Sequence, residues 1–291
     1  AMKWLHEEYA IPFDKPDAPP ERREKSTIEY IAERCQEARD KVRAYLTGRG
    51  ISDAAIDAAM RARTLGFNEW TSSKKKPGEA GYGGPPAAFI VRMPGSGQVV
   101  AVDMRFTDPA QNGDVKTQTQ GEKDGHYWTA DPRRLERAHR VILVESSINA
   151  LSVDSCAIPG TAAVSIRGIG NVGNIDFSFL RGKQCVICLD NDEPFPEGHH
   201  KAGQRPGPEA AWALYERLTA LNIACVLVDQ ALWPEDKKAG QNPARPINDV
   251  NDYLQQYGAD ELGRALETYG PWMIAGMAGD ANRRGRPPVF L

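Results

Sequence analysis

The chain has 291 residues, of which 41% are hydrophobic, enough to bury the core of one large or two ordinary domains. Its formal net charge of −3 neither demands nor excludes a nucleic-acid partner. No apolar stretch nears the length needed to cross a bilayer and no signal-peptide pattern opens the chain, so the expectation is a cytoplasmic protein without a membrane partner.

The charge is unevenly spread. Residues 41–140 carry 16 Lys and Arg against 11 Asp and Glu, whereas residues 141–258 carry 9 against 14. A basic module beside an acidic one suits a protein that holds a phosphate backbone with one face and metal ions with the other. The odd count of five cysteines, all in apolar settings, argues for reduced thiols. Cys185 and Cys188 form a CxxC inside a strand-like run, where side chains three apart point to opposite faces, which argues against zinc.

Residues 1–25 hold Pro12, Pro16, Pro19 and Pro20 among mixed charges and read as an arm; the arm and a leading helix fill residues 1–40. From Ser26, apolar residues recur at three- and four-residue steps, which predicts one helix running to Gly48. Ser52 then caps a second helix to about Ala62. Residues 64–86 are loop-rich and include Lys74, Lys75 and Lys76. Two apolar runs flank a Pro-Gly-Ser-Gly turn and predict a β-hairpin over 87–106. A polar connector and a short charged helix, 132–139, close a basic α+β subdomain over residues 41–138.

From Arg140 the pattern alternates between strand and helix. Strands are predicted at 140–144, 162–166, 184–189 and 224–229, and helices at 147–154, 175–181, 208–221 and 247–257. That order implies parallel strands in a doubly wound domain over residues 139–258. The loop 193–206 is long for its class and contains His199 and His200. Residues 259–291 read as a C-terminal helix and a Gly- and Arg-rich linker toward a further domain.

The chemistry is concentrated at two strand ends. The run Val141–Val144 delivers Glu145, and the run Cys185–Leu189 delivers Asp190 and Asp192. Ligand sites of parallel sheets lie beyond the carboxyl ends of the strands. If these two strands are neighbours, three carboxylates meet at one sheet edge. They would repel one another unless a divalent cation sat among them, and all-oxygen ligands suit Mg²⁺ or Mn²⁺. The reading from the residues is a two-metal centre for phosphoryl transfer on nucleotides.

The order Glu145, Gly160-Thr161, Asp190-x-Asp192 and the later Asp249 and Asp252 resembles the Toprim domain shared by DnaG-type primases, topoisomerases and certain nucleases. The upstream stretches AYLTGRGISDAAI, RTLGF and FIVRMPGSGQVVAVDMRF are similar to the opening of the primase catalytic core. The resemblance spans residues 41–258. It implies an α/β fold: a Rossmann-like Toprim sheet preceded by a smaller α+β primase-core subdomain. It implies Glu145, Asp190 and Asp192 as catalytic residues and metal ligands, with Asp249 as a weaker ligand. It also implies Arg49, Arg105 and Lys116 as contacts for template or nucleotide phosphates. The partners implied are single-stranded DNA template, nucleoside triphosphates and a helicase domain or helicase partner. Two positions depart from the family pattern: Ser146 stands for the usual Gly and Asn149 for the usual Asp. Three functions stay open at this point: primer synthesis, a metal-dependent Toprim nuclease, or a binding module that keeps the fold without the chemistry.

Overall fold

A computed structural model of the chain describes residues 26–237 and 247–269. The N-terminal arm and the linker-like tail lie outside the described residues. Among the described residues no helix is long and apolar enough to cross a membrane.

The first subdomain is an antiparallel sheet in the order β1-β2-β3-β4, formed by Leu65–Phe67 (β1), Pro86–Arg92 (β2), Val99–Phe106 (β3) and Thr117–Gly121 (β4). Its hairpin pairs Ala88 with Met104 and Phe89 with Asp103, so alternate residues face opposite ways. One face buries Ala88, Ile90, Val102 and Met104 against Ala32 and Cys35 of helix α1 (Thr27–Glu37). The other buries Ala87, Phe89, Val91 and Ala101 in a core with Val42 and Leu46 of helix α2 (Val42–Gly48), and with Ile56 and Ala59 of helix α3 (Asp53–Arg61).

This two-faced packing corrects the single helix expected from Ser26 to Gly48. The helix stops at Ala38, and Arg39–Lys41 form a 3₁₀ turn before α2. A straight rod cannot cover both sides of one sheet. The chain therefore breaks where it rounds the edge strand β1, with the Gln36 amide donating to the Leu65 carbonyl at 2.5 Å. Ser26 starts α1 with a reciprocal capping box to Glu29.

Helix α4 (Pro132–Arg137) leads into a second, fully parallel sheet in the order β6-β5-β7-β8. Its strands are Arg140–Val144 (β5), Thr161–Ser165 (β6), Gln184–Ile187 (β7) and Cys225–Leu227 (β8). The helices are α5 (Ser147–Ser155), α6 (Pro206–Ala220), α7 (Val250–Tyr257) and α8 (Ala259–Ala265). Both sheet faces are covered. Val141, Leu143, Cys185 and Ile187 pack with Leu214 and Leu218 of α6, while Ile142, Val144, Val186 and Cys188 join the core that holds Phe89 and Leu46. The two cysteines of the CxxC thus lie in different cores.

The helix expected over 175–181 is a 3₁₀ turn, Phe177–Leu180. Asp176 caps it, accepting from the Ser178 backbone N–H and hydroxyl at 2.9 Å each. Phe177 and Leu180 are both fully buried, and a three-residue repeat places them on one side. Gly182, at φ 77°, then turns the chain toward β7.

One core runs from the first sheet into the second, and Trp128 closes the joint. It is 1% exposed, its backbone exchanges hydrogen bonds with Ser165 at the end of β6, and its indole N–H donates to the Thr64 carbonyl at 3.0 Å. Its ring meets Phe89 edge-on at 5.3 Å. Trp128→Ala is expected to cost about 3–5 kcal/mol. Because the core is shared, urea unfolding of the variant should remain one transition for both sheets, shifted to lower denaturant.

Candidate active site

Strand β5 is central: β6 lies on one side and β7 on the other. The chain leaves β5 for β6 in one direction and returns to β7 in the other, which makes the carboxyl ends of β5 and β7 the topological switch point. Glu145 follows β5 directly. Its carbonyl accepts from the Gly168 N–H at 3.0 Å and the Ser165 hydroxyl at 3.1 Å, fixing the backbone at this corner. Asp190 follows β7 by three residues. The neighbouring Asn191 N–H donates to the Asn248 carbonyl at 2.6 Å, which draws Asp249 to the same edge.

A cleft of about 360 Å³ opens there between the two sheets. Glu145, Asp190 and Asp249 line its acidic side, and Arg49, Arg105, Lys123 and Arg167 also line it. Five residues singled out in the sequence therefore meet in one cleft: Glu145, Asp190, Asp249, Arg49 and Arg105. Asp192 is not part of the lining. One of its carboxylate oxygens accepts from the Gly207 N–H in the first turn of α6, at 2.9 Å, although its charge still reaches Glu145. Lys116 is exposed and outside the lining, one position before Thr117, which does line the cleft.

The electrostatics follow from crowding and burial. Glu145 is pushed up to about 7, first by burial and then by Asp192 and Asp249, with Lys123 opposing. Burial, followed by Glu145, Asp249, Asp192 and Asp252, holds Asp190 well above the ordinary carboxylate range. Asp249 is raised by burial and by Asp252, against a lowering influence from Arg49. Asp249 also caps α7, accepting from the Asp252 N–H at 2.7 Å.

Several residues of the site owe their roles to contacts that the sequence does not show. Asn149 donates from its amide to Asp190 at 2.9 Å and accepts from the Asn251 N–H at 3.3 Å. Arg167 takes a left-handed backbone, φ 61°, and forms a two-pronged pair with Asp103 at 2.6 and 2.9 Å. The same guanidinium donates to the carbonyls of Glu122, Lys123 and His126, tying the Lys123 segment to the cleft. Gly207 packs so closely that a Cβ would stand 1.9 Å from the Asp190 carbonyl oxygen. The only sequence signal for that contact is a glycine between two prolines at a helix start.

Among the described residues no three His, Cys, Asp or Glu side chains are gathered tightly enough to hold an ion. The donor chemistry nevertheless fits one. Four carboxylates share an edge, each raised by or raising the others, and an oxygen-only set of this kind suits a hard divalent cation.

Residues 140–260 match the family model described as Toprim domain. That segment contains Glu145, Asp190, Asp192 and Asp249, so the acidic edge lies within the part of this mixed α/β chain that matches the Toprim domain. The chain as a whole has the fold of primase catalytic cores. It is similar to the zinc-binding and RNA polymerase domains of the Aquifex aeolicus primase, with a TM-score of 0.54 at 14% identity, covering 97% of this chain and 70% of that one. It is also similar to the RNA polymerase domain of Mycobacterium tuberculosis primase DnaG, with a TM-score of 0.52 at 17% identity, covering 87% and 84%. A third match is a DnaG primase catalytic domain bound to ssDNA, with a TM-score of 0.54 at 14% identity, covering 88% and 82%. A search of curated proteins finds no match.

Two expected outcomes follow from this geometry. Glu145 has a folded-state pKa of about 7, above its unfolded value, so the fold binds the extra proton. Stability from this group is therefore present at low pH and lost as pH rises toward and through 7. Glu145→Gln removes the titration. Urea unfolding without divalent cations should show the variant more stable than the parent at pH 8, with the gap closing by pH 5. Gly207→Ala, in contrast, forces Asp190 and α6 apart and should cost about 1–3 kcal/mol at either pH.

Proposed function

We propose that this chain is a primase-type nucleotidyltransferase that joins nucleoside triphosphates into short RNA on a single-stranded DNA template. The observation that carries the reading is the facing of a buried acidic edge and a basic wall across one cleft. The acidic edge belongs to the segment matched as Toprim, and the basic wall comes largely from the preceding subdomain. A nuclease or a bare Toprim module needs only the former.

In the proposed reaction a 3′-hydroxyl attacks the α-phosphate of the incoming triphosphate and pyrophosphate leaves. Asp190, Asp192, Asp249 and Glu145 are the residues that would hold Mg²⁺ or Mn²⁺. Such ions, when bound, supply charge stabilisation to the attacking and leaving oxygens. Arg49, Arg105 and Lys123 neutralise the triphosphate, and as preorganised cations in a recessed cleft they do so with little reorganisation. Lys116, exposed beside Thr117, is placed for template phosphate outside the cleft. Glu145 would serve either as a further ligand to such an ion or as the acceptor of the proton leaving the 3′-hydroxyl.

The departures at Ser146 and Asn149 do not favour a decayed binding module. Ser146 caps α5, accepting from the Asn149 N–H at 3.2 Å, and the Asn149 amide holds Asp190.

The test is incubation with single-stranded DNA, Mg²⁺ or Mn²⁺ and labelled ribonucleotides. The parent chain should make short oligoribonucleotides. Glu145→Gln should lose about 10²–10⁴-fold of that synthesis while still retaining the template. A shortened template with no new oligomer would establish the nuclease instead. Undiminished synthesis by Glu145→Gln would remove Glu145 from the chemistry.

A further inference from the structure

Arg49 and Asp190 come from different subdomains and line the same cleft. Two buried asparagines join them. Asn149, 2% exposed on α5, donates to Asp190 at 2.9 Å and accepts from the Asn251 backbone N–H at 3.3 Å. Asn251, fully buried in the first turn of α7, accepts from Arg49 Nε at 2.8 Å and donates back to the Arg49 carbonyl at 2.9 Å. Its amide also donates to the Ser152 hydroxyl at 3.0 Å, and Gln255 donates to its carbonyl oxygen at 2.8 Å. Both the backbone and the guanidinium of Arg49 are thereby clamped to a residue that is itself tied to α5 and, through Asn149, to β7.

The neutrality of the two links matters. A guanidinium paired with a carboxylate spends its charge on that partner. Arg49 instead gives only Nε, to an uncharged amide, and among the described residues its two terminal nitrogens make no hydrogen bond. Its guanidinium lies over the Tyr45 ring, 6.0 Å from the centroid, a contact that leaves the charge unneutralised, and it lines the cleft, where it lowers the pKa of Asp249.

We propose that Asn149 and Asn251 form an uncharged amide relay that holds Arg49 in register with Asp190, making Asn251 a positioning residue for triphosphate binding. The proposal rests on the phosphate role assigned above to Arg49. It predicts that Asn251 acts through Arg49 and through nothing else that touches the nucleotide.

A double-mutant cycle tests this, read as the affinity for a ribose-labelled fluorescent ATP in Mg²⁺ with no template present, so that no turnover is needed. Arg49→Ala should weaken binding about tenfold. Asn251→Asp, which keeps the size and places a carboxylate against the guanidinium, should weaken it severalfold. In the Arg49→Ala background Asn251→Asp should add nothing, because its route to the nucleotide is gone. Should Asn251→Asp fail to fold, as judged by circular dichroism, Asn251→Ser, whose shorter side chain falls away from Arg49 Nε while its backbone N–H still meets Asn149, carries the same cycle. Additive losses, or a folded Asn251→Asp with parental affinity, would overturn the relay and leave the role of Arg49 standing. Unchanged affinity in Arg49→Ala would overturn the phosphate role itself, and the relay with it.

Discussion

The constraint behind this structure is repulsion among carboxylates withdrawn from water at one sheet edge. Burial alone disfavours the charged form of each, and each neighbour adds to the penalty. A fold that keeps such a group together without a cation must restrain every member separately. Glu145 is restrained by its backbone, Asp190 by the Asn149 amide, Asp192 by the Gly207 N–H and Asp249 by its capping bond to α7. Three of the four restraints are N–H donors at or within the first turn of a helix, where the backbone dipole also favours negative charge. The parallel sheet makes this possible, because its strands deliver their ends, and the helices that follow begin, at the same edge.

Beside the acids, at the end of β6, a buried cation is restrained in turn. Arg167 is almost wholly buried, yet its guanidinium is satisfied by both oxygens of Asp103 and by three backbone carbonyls. Asp103 in turn accepts from the Thr119 hydroxyl at 2.7 Å. A buried ion pair of this kind is costly to break, since either partner alone would be an uncompensated charge. Arg167 follows β6 of the Toprim sheet and Asp103 lies on β3 of the other, so the pair sets the spacing of the two sheets at the cleft. Together with Trp128 and the shared core, it makes the acidic edge and the basic wall parts of one rigid frame.

The sequence displayed the pieces of this arrangement that depend on local pattern. Two short apolar runs ending in acids, Val141–Val144 and Cys185–Leu189, put Glu145 and Asp190 at strand ends, and the sheet order makes those two strands neighbours. The hairpin over 87–106 and the parallel order of the second sheet were equally visible as periodicity. What escaped is what long-range packing decides. Residues 26–48 carry an unbroken helical repeat, but the repeat is blind to the sheet edge that the chain must round. Phe177 and Leu180 fit a helix or a 3₁₀ turn equally well until Asp176 is seen to cap the latter. Arg167 and Lys123 lie in stretches with no distinguishing composition and Asn251 sits unremarked between Asp249 and Asp252, and each acquires its role from partners 44 to 202 positions away. Asp192 was legible as an acid at the right edge, but the direction of its side chain depends on where α6 begins.

Of the two departures from the family pattern implied by the resemblance, one changes how a helix begins and the other changes the charge at the acidic edge. A serine following Glu145 supplies a side-chain oxygen to the start of α5, which a glycine cannot do, and so replaces backbone freedom with a cap. An asparagine in place of an aspartate keeps an oxygen that accepts from α7 and gains an amide that donates to Asp190. With an aspartate there, the contact to Asp190 would bring two buried carboxylates together, tolerable only if a proton or a cation lay between them. With the amide, Asp190 is held by a hydrogen bond that needs neither. An amide at this position therefore leaves the edge with one buried charge fewer to balance, while Glu145, Asp190 and Asp249 still line the cleft.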